Sequence, residues 1–339
     1  MRHGYGDELM SNDKVGVAVA GLGFVGRQAH VSAFRKIPDA ELVAVIDVIE
    51  EAAKEVSSKY NLKYYLDHKE ALKNPDIDAL VVAVPTPFHY DLVSEALSNG
   101  KHVLCEMPLT PNVAESEKLG EMAEKAGVML MPDLNFRFTP NYVKAKELID
   151  EFTIGKPIAF TFTEFIPAKD LAKQWPSGSW AWNKEKSGGY PDFTLSVWSI
   201  DLIRWLFNSE IVDVSWMPNY AQLPGLNYTG YNTVGIVKLS NDAVGTLYFS
   251  ASVSPGEGTS KLEVFGDNTR TIKATWNNHL ALIDESMKAD WEFKMRGTKV
   301  WGHYQIDSYF VDCIKYGKKP SVTVDDAIKA QTIAKKIVE

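Results

Sequence analysis

The segment from Lys14 to Asp47 constrains this chain more than any other. An apolar, β-branched run, Lys14 to Ala20, leads into Gly21-Leu22-Gly23-Phe24-Val25-Gly26. A helical stretch follows to Lys36, then a second strand-like run, Glu41 to Asp47, that ends on an acid 21 residues beyond Gly26. Strand, G-x-G-x-x-G, helix, strand and terminal acid together form the fingerprint of a dinucleotide-binding βαβ unit. Gly21 allows the tight turn, Gly23 admits a pyrophosphate close to the backbone, and Gly26 lets the helix pack on the strand. Phe24 and Val25 belong to the same loop. The free N–H groups of the helix start favour anions. Asp47 is placed to accept from adenosine ribose hydroxyls and to repel a 2′-phosphate, so NAD(H) is favoured. NADP(H) stays open because Arg27 could reach a phosphate.

The rest of the first 135 residues keeps the same alternation. Helices are expected over Glu50–Tyr60 and Phe88–Asn99, the latter closed by Gly100. Another is expected from the Asn112/Glu115 capping pair to Gly127. Strands are expected over Ala79–Val84, Lys101–Cys105 and Val128–Met131. This is an α/β domain with a doubly wound parallel sheet. After a boundary near 132–140, Thr139-Pro140 opens a helix to about Phe152. Strands follow at Pro157–Ile166, Ile211–Trp216, Thr233–Ser240, Ala243–Ser252, Lys261–Phe265 and Thr271–Trp276. Helices are expected at Thr194–Phe207, Trp301–Tyr316 and Val324–Val338. Such an order gives an α+β domain whose large, mainly antiparallel sheet carries its helices on one face. The expected division is 1–13 as a disordered extension or expression remnant, 14–135 as the NAD(P)-binding domain, and 136–339 as the substrate-binding and oligomerisation domain. The last helices are free to pack back on the first domain.

Composition removes other classes. The net charge of −8 makes nucleic acid and anionic membrane poor partners. Two distant cysteines, Cys105 and Cys313, suggest a reducing compartment. The first 13 residues lack a signal-peptide core, and the longest apolar runs are far below the ~18 residues of a membrane helix. A cytoplasmic protein acting on a small molecule is the expectation.

The chain also resembles the glucose–fructose oxidoreductase / inositol dehydrogenase / MocA (Gfo/Idh/MocA) family. The likeness rests on GLGFVG, on Thr86-Pro87-Phe88-His89, on Gly100 to Leu109 (GKHVLCEMPL), and on Asn135-Phe136-Arg137-Phe138 with Pro140. Trp180 with Ser187-Gly188-Gly189, and Phe310 to Gly317 with Pro320 and Asp325-Asp326-Ala327, extend it. The resemblance implies an NAD(P)-dependent dehydrogenase of a sugar, polyol or related compound. It also implies a homodimer or homotetramer joined through the open face of the second sheet. Cofactor contacts are expected from Pro85, Thr86, Pro87, His89, Glu106, Met107 and Asn135, besides Gly21, Gly23, Phe24, Val25, Gly26 and Asp47.

The departures from the family pattern bear on the chemistry. Met107 stands where the family has its E-K-P lysine. Alignment of the D-x-G-x-H-x-x-D helix on Asp201 puts Trp198 and Thr194 at the histidine and first aspartate. Three readings follow: acid–base chemistry relocated to Tyr190 or Asp192; reduction of a conjugated, bilin-like substrate that needs no strong protein acid; or a non-catalytic dinucleotide-binding sensor or scaffold. His89 reads equally as a helix-start hydrogen-bonding residue, and Asp133 equally as a turn residue or a base. Lys169, Lys173, Lys184 and Lys186 border the pocket or lie in solvent. Trp175, Trp180 and Trp182, with Arg137, Thr194 and Trp198, are the substrate-side candidates. Aromatic faces stack on sugar C–H surfaces or flat rings, and a hydrophobic plug between domains is the competing reading for the tryptophans.

Overall fold

The computed structural model describes residues 14–223, 225–226, 228–275, 278–285, 288–294 and 302–339. The extension over residues 1–13, the Trp276 end of one expected strand and the Trp301 start of one expected helix lie outside them.

Six parallel strands form the first sheet in the order β3-β2-β1-β4-β5-β6. They are β1 Val15–Ala20, β2 Ala40–Ile46, β3 Lys63–Tyr65, β4 Ala79–Val82, β5 His102–Cys105 and β6 Leu130–Pro132. Every side chain of β1 and β4 is buried, as a parallel strand covered on both faces requires. The order reverses between β1 and β4, so a crevice opens beyond their carboxyl ends. Helix α2, Glu50–Tyr60, matches its expected bounds. Helix α5, Val113–Ala126, is capped by Asn112 and ends on Gly127 at φ +69°. Strand β3 and the five-residue helix α3, His68–Leu72, escape a sequence reading because both are short and β3 is largely exposed.

The second sheet has eight strands in the order β14-β13-β12-β11-β7-β10-β9-β8. Its strands are β7 Pro157–Pro167, β8 Ile211–Leu223, β9 Tyr228–Leu239, β10 Val244–Val253, β11 Thr259–Gly266, β12 Thr271–Thr275, β13 His279–Ile283 and β14 Lys288–Glu292. All pairs are antiparallel except β7 with β10. Asn241-Asp242 does make the β9–β10 turn, with Asp242 at φ +70°. Helices cover one face, chiefly α6 (Pro140–Asp150) and α9 (Pro191–Leu206), which buries most of its length. The other face carries cross-strand rows such as Met217–Val234–Tyr248–Thr163–Lys261. At the chain's end, α10 (His303–Lys315) packs on β1, β5 and the helix after β1. Helix α11 (Val324–Lys335) lies against α5 and α9.

Candidate active site

The glycine turn assigns each glycine a separate task. Gly21 sits at φ +90°, and a Cβ there would fall 2.5 Å from the Ala83 backbone. A Cβ on Gly26 would fall 1.8 Å from the Gly21 carbonyl oxygen, whereas one on Gly23 would meet nothing within 4 Å. Gly21 and Gly26 therefore let the backbone close up, and Gly23 faces the open crevice where a pyrophosphate needs room. Asp47 holds the turn in place: its Oδ2 accepts from Leu22 N at 2.7 Å and its Oδ1 from Ile49 N at 2.8 Å. Arg27 donates to the Leu22 carbonyl and pairs with Glu55 at 2.6 Å. The reach toward a 2′-phosphate considered for Arg27 is thus opposed by two existing partners. Around the crevice, the loops after β1, β2 and β4 leave Phe24, Val48, Ile49 and Phe88 more than half exposed. Apolar side chains bordering an open anion cradle fit the flat rings of a dinucleotide. These residues fit NAD.

The loop after β4 is fixed by His89. One ring nitrogen lies 2.8 Å from the Val84 carbonyl oxygen and the other 3.0 Å from that of Pro108. Burial, opposed by these contacts, lowers its pKa. His89 therefore ties the β4 loop to the β5 loop, as the helix-start reading held. Pro85 and Pro87 flank the buried Thr86 in the turn that begins this segment. Met107 is buried with only 3% exposure, which suits packing.

Glu106 and Asn135 turn into a buried polar cluster. The helix after β1 begins with π-type turns over Gly26–Val31, and its His30 is wholly buried. His30 Nε2 lies 3.3 Å from Glu106 Oε1 and 3.5 Å from Asp133 Oδ2, while Nδ1 lies 3.0 Å from Asp307 Oδ1. His303 Nε2, from α10, lies 3.1 Å from Glu106 Oε1 and 3.8 Å from Asp133 Oδ2. Asn135 Nδ2 is 3.1 Å from both His303 ring nitrogens. Burial opposes ionisation of Glu106, but the hydrogen bonds and charges of His30 and His303 outweigh it and hold its carboxyl well below the usual range. Burial first, and Glu106 second, push Asp133 up to about 8. Nothing in the sequence patterns pointed to His303 or Asp307; His30 could have been noticed as a histidine one helical turn beyond Gly26.

In the second domain, α9 starts at Pro191, three residues before the expected Thr194, so Asp192 lies in its first turn. Its carboxylate is fully buried. Oδ2 accepts from Thr233 Oγ1 at 2.6 Å and Tyr220 Oη at 2.9 Å, and Oδ1 accepts from Phe193 N at 3.0 Å. Tyr190 is half-buried, edge-on to Tyr220 at 5.0 Å and 6.3 Å from Trp182. Trp182 contacts Tyr228 edge-on, and Trp175 contacts Trp180. Trp182 and Tyr190 thus belong to a cluster beside Asp192, with Tyr220, Tyr228 and Thr233 added from strands that carried no motif, while Trp175 and Trp180 form a separate pair tied to it by the Trp182 Nε1 hydrogen bond to the Trp175 carbonyl. Two hydroxyls here, Thr194 Oγ1 and Tyr228 Oη, are buried without a hydrogen-bond partner. Trp198 Nε1 donates to the Asp133 carbonyl at 2.8 Å, joining the two domains.

Arg137, expected on the substrate side, has its guanidinium buried between Asp201, at 2.7 Å from Nε, and Asp326, at 2.9 Å from Nη2. These ion pairs tie it to α9 and α11 and weigh against a substrate contact. Lys169, Lys173, Lys184 and Lys186 are all exposed, and Lys184 donates to the Val338 carbonyl.

Comparison with known proteins agrees with this geometry. The model of the Gfo/Idh/MocA oxidoreductase family's NAD-binding Rossmann fold matches residues 15–134, and the model of that family's C-terminal domain matches residues 142–271. The chain is similar to the scyllo-inositol 2-dehydrogenase (NAD(+)) of Bacillus subtilis, 28% identical over 322 residues, spanning 93% of this chain and 90% of that one. It is 27% identical over 338 residues to the myo-inositol 2-dehydrogenase of Thermotoga maritima, spanning 95% and 96%. Its fold resembles a probable dehydrogenase from Thermotoga maritima, with a TM-score of 0.76, 25% identity and 94% of both chains covered. It also resembles levoglucosan dehydrogenase in complex with NADH and levoglucosan, with a TM-score of 0.83 over 96% of both chains; at 19% identity that likeness is one of fold. None of the described helices is long and apolar enough to cross a membrane.

Proposed function

Since this chain belongs to the Gfo/Idh/MocA family of NAD-binding oxidoreductases, we propose that it interconverts a secondary hydroxyl and a carbonyl on a cyclic polyol, sugar or related small molecule. The observation that carries this reading is the pairing of an open Gly23 cradle with relatives named as inositol dehydrogenases along more than nine-tenths of the chain. Bound NAD(H) supplies or accepts the hydride. The chain's own residues do the rest. The glycine turn and Asp47 hold the pyrophosphate and ribose. Trp182 and the Tyr190 ring offer faces for the C–H surface of a ring substrate. The buried hydroxyl of Thr194 is available to a substrate oxygen.

Tyr190 is the proton-transfer group in this reading, giving its phenolic proton to the carbonyl oxygen in reduction and recovering it in the reverse direction. Asp192 has three donors and no exposed surface, so it positions Tyr220 and, through the ring contact, Tyr190. Met107 packs. The test is a panel of inositols, inososes and aldoses assayed with NAD and NADH. Tyr190→Phe should lower kcat by ~10²-fold or more, with NADH affinity by fluorescence unchanged. Full activity in Tyr190→Phe overturns the assignment. Intact NADH binding without turnover of any compound favours the non-catalytic dinucleotide-binding reading.

The open face of the second sheet supports a homodimer or tetramer. Met217 and Ile236 are 64% and 55% exposed there, and Val244, Tyr248 and Phe265 are further exposed apolar side chains of that sheet, which burial against a second copy would cover. Light scattering at micromolar concentration should give a dimer or larger, and Ile236→Lys should shift it toward monomer. A monomeric parent chain overturns this.

A further inference from the structure

We propose that His30, Glu106, Asp133 and His303 form a closed, four-ligand site for a divalent transition-metal ion of the Zn2+ class, one that fastens α10 to the first domain. One ligand atom from each residue lies within 4.8 Å of all the others, and all four residues are buried. Zinc–nitrogen and zinc–oxygen bonds of about 2.0–2.2 Å in a tetrahedron place neighbouring ligands roughly 3.3–3.6 Å apart. The four histidine–carboxylate separations span 3.1 to 3.8 Å and bracket that spacing. Two imidazoles with two carboxylates form a donor set that suits Zn2+.

An independent observation is the state of Asp133. It is wholly buried, and neither carboxylate oxygen has a hydrogen-bond partner. Oδ2 is aimed between the two imidazoles. Leaving a buried carboxylate without donors is expensive, and a cation at the centre of the four residues would satisfy it. The surroundings also prepare His30. Asp307 lies on His30 Nδ1, which keeps that proton there and leaves the Nε2 lone pair facing the centre. Asn135 also borders His303, with its Nδ2 3.1 Å from both ring nitrogens and its Oδ1 buried without a partner, so it does not by itself select the His303 tautomer. With neutral imidazoles and ionised Glu106 and Asp133, a divalent ion cancels the charge of its ligands. Four protein ligands leave no open position, so the site is structural and takes no part in hydride chemistry.

The ligands come from three separate stretches of the first domain and from α10, so metal binding couples to folding. The test uses the full chain, stripped with a chelator and titrated with Co2+. About one equivalent should bind and give the visible d–d absorption of four-coordinate Co2+, and Zn2+ should displace it. Zn2+ should raise the Tm of the stripped chain. Asp133→Asn should abolish the Co2+ absorption and the rise in Tm, and Asp307→Asn should weaken affinity by roughly 10–100-fold. If Asp133→Asn fails to fold, the parent's stoichiometry and spectrum decide alone. The proposal is overturned if the parent gives no four-coordinate spectrum and no Tm shift, which assigns the cluster as a proton-sharing network. It is equally overturned if Asp133→Asn binds as tightly as the parent.

Discussion

Asp192 in the second domain and Asp133 at the end of β6 are both wholly buried carboxylates, yet they are built in opposite ways. Asp192 is surrounded by neutral donors from three elements: a hydroxyl on β9, a phenol on β8 and the Phe193 N–H of its own helix. Asp133 has no donor on either oxygen and faces two imidazoles and a second carboxylate. Burial raises the pKa of both; at Asp192 the three hydrogen bonds oppose that rise, whereas at Asp133 the charge of Glu106 adds to it. The first arrangement fixes a shape. The second is complete only when a proton or a cation enters.

The largest expected effect tests the satisfied member of the pair. Asp192→Ala should destabilise the chain by about 3 kcal/mol or more, because two buried donors, Thr233 Oγ1 and Phe193 N, and the half-buried Tyr220 hydroxyl lose their acceptor at about 1–3 kcal/mol each. Denaturant unfolding measures this, and a loss under about 1 kcal/mol breaks the contrast.

Glu164 sharpens it. This buried residue shares a cross-strand row with Thr233, Phe249 and Ser260 on the helix-facing side of the sheet. Ser199 Oγ donates to it at 3.1 Å, yet burial pushes its pKa from 4.5 up to about 7. One donor is too few. Below pH 4.5 the carboxyl is neutral folded and unfolded and costs nothing. Between 4.5 and 7 the unfolded chain ionises first, so stability falls as pH rises. Above 7 the penalty is constant, up to about 3 kcal/mol. Glu164→Gln should therefore stabilise the protein at pH 8 and not at pH 4 in thermal melts. An equal gain at both pH values contradicts this.

Asp47 is the smallest case, a half-buried carboxylate with one backbone donor on each oxygen and lone pairs left over. Asp47→Ser should narrow the preference for NADH over NADPH by severalfold in fluorescence titrations. Equal affinities in the parent chain would deny Asp47 this role.

What the sequence determined by itself is local. Gly21, Gly23, Gly26 and Asp47 act within one βαβ unit, where backbone conformation and close approach leave few residue types, so the pattern announces the site. Strands buried on both faces, such as β1 and β4, were legible as continuous apolar runs, and the amphipathic helices by their periodicity, because both patterns report burial. Strand β14 was not read because it is a largely polar, solvent-facing edge strand with no apolar run, and β13 was missed although its apolar stretch is as long as that of strands that were read. Tertiary structure alone decided the polar interior. His30 meets Asp307 across 277 positions, and Thr233 meets Asp192 across 41. A lone histidine, threonine or tyrosine carries no periodic signal of its partner. Which carboxylates become satisfied, and which are left waiting for a cation or proton, depends on what the packed sheets and α10 bring beside them.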